Sequence, residues 1–306
     1  MKIRYMITVA AAVVSLGCVF GREVPVIDGT LAEFLSLTPQ ERRVKFTDEA
    51  WRKQLTKEYG KMKWREGAEG EFSRWCRMTG VRNVRDVGGL AGLGGKRVKS
   101  GRIYRSAQLN KAAPYKEVKD ERGKKRREYY GSAQATLKAG EAEAIQKEYA
   151  IKTDLDLRAE GQCLGMKNSP LGEGVNFINI SFSNYSGIYK GEGAAAMGKA
   201  LRVFLDERNY PVIFHCVKGA DRTGSLAFIL QALLGVSAED RLLDWELTAY
   251  FNNNVKFAHE KRYDELVKGL EKYPGANDVE KSENYVKSLG LTDEDIAKLR
   301  SIMLEK

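Results

Sequence analysis

The segment that most constrains this chain of 306 residues is His215–Gly224, whose sequence is HCVKGADRTG. Apolar runs flank it, at residues 211–214 before it and at residues 225–234 after it. Runs of these lengths predict a buried strand and a helix joined by a tight loop. Inward-pointing loop amides and the N-terminus of a helix together bind anions. The same positive potential favours a thiolate at Cys216, so the segment predicts an acidified nucleophile beside an anion site.

This segment resembles the signature H-C-x5-R-[ST]-G of the cysteine-dependent tyrosine phosphatase superfamily. The resemblance implies a phosphocysteine intermediate on Cys216, with the planar guanidinium of Arg222 holding the phosphoryl oxygens. It also implies that Thr223 hydrogen-bonds the sulfur as it leaves, and that His215 fixes the loop and helps to set the acidity of the thiol. Substrate contacts from the loop are expected at Val217, Lys218, Gly219 and Ala220.

Three further segments resemble the bacterial tyrosine and phosphoinositide phosphatase branch of that superfamily. They are NVRDVGG at 83–89, GRIYRSA at 101–107 and DLR at 156–158. Their order and rough spacing also fit, so the resemblance covers about residues 80–255.

The arginines of these segments have two interpretations. Arg105 and Arg158 either bind the substrate phosphate or pin carboxylates. Arg85 and Asp86 are expected to pair and to brace the floor of the site.

The general acid is the least determined part of the site. Phosphate ester cleavage needs a proton for the leaving oxygen, usually from a carboxylic acid. Dual-specificity phosphatases commonly carry an aspartate upstream of the cysteine, but no aspartate lies between Glu160 and Lys199. Asp156 and Asp221 are equal candidates, and Glu192 is the third.

Strand-like and helix-like stretches alternate from about residue 81 onward. This alternation predicts an α/β fold with a central, mostly parallel sheet flanked by helices. The resemblance implies the dual-specificity type of the tyrosine phosphatase fold. Cys216 follows a predicted strand, at the carboxyl edge where such sheets bind ligands.

The domain organisation is expected to have three parts: a signal peptide at 1–20, a helical extension at 22–78, and one tyrosine-phosphatase-like domain at 79–306. The tryptophans of the extension are expected to pack it onto the domain; they are Trp51, Trp64 and Trp75.

A basic insertion interrupts the domain at 111–136. Residues 111–130 hold eight Lys or Arg against four Asp or Glu. Such a charge run predicts an exposed, mobile loop. A patch that steers anionic substrates toward the site is the alternative.

The first residues predict export. Lys2 and Arg4 precede an apolar stretch at 6–16 that is short for a membrane span. Cleavage before Cys18 would give a lipidated cell-envelope protein, whereas cleavage near Gly21 would give a periplasmic or secreted one.

Cysteine and histidine counts limit other chemistry. In an oxidising compartment Cys76 and Cys163 could form a disulfide, leaving Cys216 free. The two histidines lie in no Cys/His cluster with ligand spacing, so neither a metal nor another cofactor is expected. The net charge of +10 suits an anionic substrate, and no nucleic-acid motif accompanies it.

These features imply an exported phosphomonoester phosphatase, with phosphotyrosine as the first substrate expected. Phosphoinositides and inositol phosphates are alternative substrates, because Lys218 adds a cation to the loop and additional phosphates attract additional cations. A non-enzymatic module that binds phosphorylated ligands is the remaining alternative.

Overall fold

The computed structural model describes residues 23–25, 33, 36–45, 48–50, 64–66, 74, 76–138, 140–251 and 259–305. The predicted signal peptide, Cys18, Trp51 and Trp75 lie outside these residues. So does the side chain of Trp64.

The strands, in chain order, are β1 (Glu23–Pro25), β2 (Trp64–Glu66), β3 (Arg85–Asp86), β4 (Ile103–Ser106), β5 (Asn110–Lys111), β6 (Tyr115–Lys119), β7 (Lys125–Tyr129), β8 (Gln134–Ala135), β9 (Thr153–Asp156), β10 (Asn176–Asn179) and β11 (Val212–His215). The α-helices are α1 (Pro39–Lys45), α2 (Glu141–Tyr149), α3 (Gly191–Val203), α4 (Asp221–Leu233), α5 (Ala238–Phe251), α6 (His259–Leu270), α7 (Asp278–Ser288) and α8 (Asp293–Met303). Two short 3-10 helices, Glu160–Cys163 and Tyr185–Tyr189, contribute to the site.

The central sheet has five strands in the order β10-β9-β11-β4-β3. Adjacent strands of this sheet are parallel, except that β3 runs antiparallel to β4 at one edge. The expected α/β architecture with a mostly parallel sheet is therefore confirmed. β11 is central, so the cysteine that follows it lies at the carboxyl edge between two neighbouring strands.

Helices cover both faces of this sheet. Leu155 and Phe214 belong to a core formed mainly with α3, α4 and the C-terminal helices, whereas Tyr104 and Ile213 face a second core with α2. Helix α4 is buried all round from Thr223 to Leu233. Such a helix needs apolar residues on every side, and the run at 225–234 supplies them.

Strand β9 shows why a parallel sheet can bury polar residues. All four of its residues are buried, although three are Thr153, Asp154 and Asp156. A strand covered on both faces must pair such groups. The two carboxylates do so with side chains of the site, described below.

The basic insertion is largely exposed, as expected, but it contains a β-hairpin where a loop was predicted. β6 and β7 pair antiparallel over five residue pairs. The carboxylate of Asp120 accepts hydrogen bonds from the amides of Arg122 and Lys124, which closes the turn. At the base, the guanidinium of Arg127 lies 4.5 Å from the ring centre of Tyr115.

The extension is not helical throughout. β1 and β2 form an antiparallel ribbon, and residues 76–78, at the end of the predicted helical extension, have no regular structure. Helix α1 packs on the domain through a buried ion pair between Arg42 and Glu246, 2.5 Å long. No helix within the described ranges is both long and apolar enough to cross a membrane.

Candidate active site

The loop between β11 and α4 places Cys216 at the bottom of a backbone cradle. Cys216 is buried, and α4 begins five residues later at Asp221. Gly219 closes the turn with φ +65°, and a Cβ at this position would lie 2.4 Å from the carbonyl oxygen of Ser106. A side chain would therefore push the loop off β4, so the glycine is required for this geometry.

The pKa of the Cys216 thiol is lowered. Burial would raise this pKa, but the charge of Arg222 and the nearby hydroxyl and amide of Thr223 lower it by more. The buried Thr223 hydroxyl makes no hydrogen bond of regular geometry with any described residue. We attribute its effect on the sulfur to electrostatic proximity. The loop thus stabilises the nucleophilic form of the cysteine.

Arg222 is held in place by a residue that sequence reasoning missed. Its Nη1 donates to Oε1 of Gln162, at 2.9 Å, and to the carbonyl oxygen of Leu157, at 3.2 Å. Gln162 lies in the Glu160–Cys163 helix, where its Oε1 also accepts from the amide of Ala159. One amide oxygen therefore fixes both this short helix and the guanidinium. No local signal in the chain pairs Gln162 with Arg222.

His215 lies between two carboxylates behind the loop. Its Nε2 is 3.0 Å from Oδ1 of Asp154, and its Nδ1 is 3.8 Å from Oδ1 of Asp156. Burial lowers the pKa of His215, but Asp156 and Asp154 raise it by more, so the net direction is upward. His215 therefore braces the end of β11 between these two carboxylates. Asp154 was absent from the sequence-based candidates.

Asp156 is poorly suited to donate a proton. It is fully buried, and its Oδ2 accepts from Nη2 of Arg158 at 2.6 Å. Burial raises its pKa, but the charges of His215 and Arg158 lower it by more. Asp156 consequently stays ionised, which favours the interpretation of this residue as a buried partner of Arg158.

Arg105 and Arg158 brace the site from within the protein. Both side chains are buried, and both are engaged by carboxylates, Arg105 by Asp244 and Arg158 by Asp156. Arg105 also donates to the carbonyl oxygen of Gly219, at 3.0 Å. Of the two interpretations given to these arginines, the contacts favour the one in which they pin carboxylates, because buried guanidinium groups need such partners.

Asp244 of α5 joins the arginines beneath the loop. Its carboxylate accepts from Arg74 at 2.8 Å, from Arg85 at 3.1 Å and from Arg105. Burial would raise its pKa, but these three cations lower it strongly. The expected pairing of Arg85 with Asp86 was wrong, since Arg85 bonds Asp244.

The NVRDVGG segment supports the loop through side chains. Asn83 donates from Nδ2 to the carbonyl oxygens of Lys218 and Gly219, at 3.0 and 3.1 Å. Its Oδ1 accepts from Arg85. Asp86 accepts instead from the amides of Gly88 and Gly101. Each polar residue of the segment therefore has a bracing contact.

Asp221 is the accessible acid of the site. Its side chain is 34% exposed. Its Oδ1 accepts a hydrogen bond from the hydroxyl of Tyr185 and lies 3.8 Å from Nη1 of Arg262 in α6. Arg262 also donates to the Tyr185 hydroxyl, at 3.0 Å. Glu192, by contrast, lies in the exposed first turn of α3.

Cys76 and Cys163 are both buried, and the possible disulfide between them is absent. The Cys163 sulfur lies 3.2 Å from Oδ2 of Asp156, and burial together with that carboxylate raises its pKa to about 12. In the described part of the chain, no group of three or more His, Cys, Asp and Glu residues could hold a metal ion.

Comparison with known proteins identifies similar sequences and folds. A sequence model of the tyrosine phosphatase family matches residues 76–120 and 115–305. A protein of Cupriavidus necator, provisionally named a tyrosine-protein phosphatase, is 27% identical over an alignment of 205 residues that covers 57% of this chain and 64% of that relative. The chain thus spans about 64% of the length of this relative.

Two solved structures are also similar. The core catalytic domain of the PP-IP phosphatase SIW14 from S. cerevisiae, in complex with citrate, is 16% identical, with a TM-score of 0.33. The match covers 56% of this chain and 86% of that one. TpbA of P. aeruginosa is 17% identical, with a TM-score of 0.27, and the match covers 67% and 88% of the two chains.

Proposed function

Because the chain belongs to the tyrosine phosphatase family, we propose that it hydrolyses phosphate monoesters through a phosphocysteine intermediate on Cys216. The observation that carries this proposal is the Cys216 thiol, whose pKa is lowered at the base of a loop that Arg222 closes. A thiolate held beside an anion cradle is suited to attack phosphorus.

In the first step, the Cys216 sulfur forms a bond to phosphorus as the bond from phosphorus to the ester oxygen breaks. Arg222 and the loop amides at 217–220 stabilise the equatorial phosphoryl oxygens. The carboxylic acid of Asp221 gives its proton to the leaving oxygen. The alcohol or phenol then departs, and the phosphoryl group remains on sulfur.

In the second step, water attacks phosphorus, and the carboxylate of Asp221 takes the proton of that water. The bond from phosphorus to sulfur breaks, and Thr223 assists the departing thiolate from its position beside the sulfur. Inorganic phosphate is released, and the proton on Asp221 restores the acid.

Asp221 is preferred as the acid because it combines exposure with proximity to Arg222. Asp156 is enclosed and ionised, and Glu192 is on an outer turn. A proton donor must reach the leaving oxygen, so accessibility at the mouth of the loop is the deciding property.

Phosphotyrosine in proteins is the substrate class we propose first, on the family match. Phosphoinositides or inositol phosphates are the second candidate, favoured by the exposed Lys218 within the loop. Export to the cell envelope is also a proposal, supported by the basic and apolar composition of residues 1–20. Cell fractionation of the full chain, compared with a form lacking those residues, tests it.

Phosphate release under metal-free conditions tests the activity. The panel holds phosphotyrosine and phosphoserine peptides, phosphoinositides and inositol polyphosphates, each incubated with wild type and with Cys216→Ser. Release by wild type alone supports the proposal, and the preferred substrate identifies the class. Binding without release from any member would indicate a phosphate-binding module instead.

A further inference from the structure

A cleft of about 340 Å³ lies between the Tyr185–Tyr189 helix and α6. Three lysines line it: Lys190, Lys268 and Lys272. All three are exposed, and none of their ammonium groups has an ion-pair or hydrogen-bond partner among the residues that the structure describes. Three unpaired cations around one concave surface create a positive potential that attracts a compact anion.

The one carboxylate in the lining does not neutralise this cleft. Glu265 accepts a hydrogen bond from the Ser186 hydroxyl at 3.4 Å, which ties α6 to the Tyr185–Tyr189 helix. Three lysines therefore stand against one glutamate, and the surplus positive charge is available to a ligand.

The walls of the cleft are rigid. The Tyr189 hydroxyl donates to the carbonyl oxygen of Leu266 at 2.7 Å, and its ring packs 4.9 Å from the ring of Tyr285. Gly269 lets the two elements approach, since a Cβ there would lie 2.1 Å from the Tyr189 ring. Such a cleft is formed before a ligand binds, so binding costs little ordering.

Two elements connect the cleft to the phosphate loop. The Tyr185–Tyr189 helix places the hydroxyl of Tyr185 on Asp221 at one end and Tyr189 in the cleft at the other. Helix α6 likewise places Arg262 beside Asp221, and Lys268 lies roughly 9 Å further along its axis. Both elements that line the cleft therefore also contact the candidate acid Asp221.

We propose that this cleft is a second anion subsite, which binds a distal phosphate of a substrate whose first phosphate occupies the Cys216 loop. This inference rests on the proposed function and adds that a substrate with a second phosphate binds more tightly than a monophosphate. Lys268 and Lys272 contact the distal phosphate, and Lys190 closes the cleft from the other side. These lysines act on binding and take no part in proton transfer.

Alkanediol bisphosphates of increasing chain length test the subsite, with an alkyl monophosphate as the reference substrate. Wild type is expected to show a lower KM for bisphosphates that are long enough to reach the cleft. In K268Q/K272Q this preference over the monophosphate should fall by about three- to tenfold, the range for two exposed ion pairs. The effect should shrink at high salt, because exposed charges are screened.

The matched control is K147Q/K298Q, which removes two exposed lysines from α2 and α8. It should keep the wild-type preference. Equal preference in K268Q/K272Q and wild type, or no preference in wild type at any length, would overturn the subsite. A soluble inositol bisphosphate and a micellar phosphoinositide distinguish a free ligand from a lipid headgroup.

If the proposed function is wrong, the hydrolysis experiment gives a result that differs from the failure of the subsite. If wild type hydrolyses neither substrate, calorimetric titration with the same bisphosphates still tests the subsite, because binding needs no turnover. Tighter binding of the long bisphosphates that is lost in K268Q/K272Q would support the subsite alone. Equal binding by both proteins would contradict it.

Discussion

The hydroxyl of Tyr185 donates a hydrogen bond to the carboxylate of Asp221, and Arg262 reaches both groups from helix α6. Tyr185 is buried and adopts φ +50°, a backbone conformation that a tyrosine rarely takes. Its pKa is raised by burial and by the Asp221 contact, so it remains a hydrogen-bond donor. This contact fixes the orientation of the proposed general acid.

Tyr185→Phe is therefore expected to lower kcat by about tenfold with little change in KM, because the hydrogen bond that orients Asp221 is lost. Steady-state kinetics on a phosphotyrosine peptide measure this. Tyr210→Phe is the matched control, since it removes a hydroxyl that bonds the carbonyl oxygen of Phe204 within the core. An unchanged kcat in Tyr185→Phe would mean that the contact does not position Asp221.

The effect of Asp221→Asn on kcat should depend on the leaving group of the substrate. We expect kcat to fall by about 10²- to 10⁴-fold for an alkyl phosphate, and by much less for p-nitrophenyl phosphate, whose leaving group needs little protonation. Asp156→Asn should reduce both rates alike, because it disturbs the charge network around His215. The reverse pattern would identify Asp156 as the acid.

The lowered pKa of Cys216 predicts its reactivity at neutral pH. Alkylation by iodoacetamide should modify Cys216 well below pH 8.5, roughly the pKa of free cysteine. Cys163, with its pKa raised to about 12, should remain unmodified. Peptide mass spectrometry across pH 5–9 measures both sites in one sample. Modification of Cys216 that begins only above that value would refute the acidified thiol.

Asp244→Asn should destabilise the protein by about 3–5 kcal/mol, because three buried arginines lose their shared carboxylate. The folded-state pKa of Asp244 is below its unfolded value of about 3.9, so its contribution is present above that pH and is lost as pH falls further. The difference in free energy of unfolding between wild type and variant should thus be largest near neutral pH and decrease below about pH 4.

Denaturant unfolding at several pH values measures this difference. Asp206→Asn is the control, because the ion pair of Asp206 with Arg208 is exposed and should contribute little. A variant that unfolds like wild type at neutral pH would show that the arginines do not depend on Asp244.

The phosphate loop could be predicted from the sequence because all its determinants are local. An apolar strand, a glycine turn and a buried helix lie within about twenty consecutive residues, and period and composition identify each. The alternation of strands and helices after about residue 81 was also predictable, and it gave the mostly parallel sheet.

The supporting contacts could not be predicted, because each joins segments that are distant in the chain. Gln162 reaches Arg222 across 60 residues, and Asp244 reaches Arg85 across 159. Sequence patterns reveal that a polar residue is available but not which partner it meets. Asp156 illustrates this. A carboxylic acid side chain can serve as a proton donor, but the burial of Asp156 beside Arg158 makes it a structural ion-pair partner.

The hairpin at 115–129 was missed for another reason. Its charged residues hide the alternation that usually indicates a strand, and the pairing of residues 115–119 with residues 125–129 is seen only in the structure. Charge runs of this kind are ordinarily assigned to loops.

Trapping the phosphoenzyme tests the central claim most directly. Wild type is mixed with a phosphotyrosine substrate under metal-free conditions and quenched in acid, and the peptide that contains Cys216 is examined by mass spectrometry. We predict the mass of one added phosphoryl group on that peptide, with none in Cys216→Ser. Turnover by wild type that leaves Cys216 unmodified, or that persists in Cys216→Ser, would contradict the account.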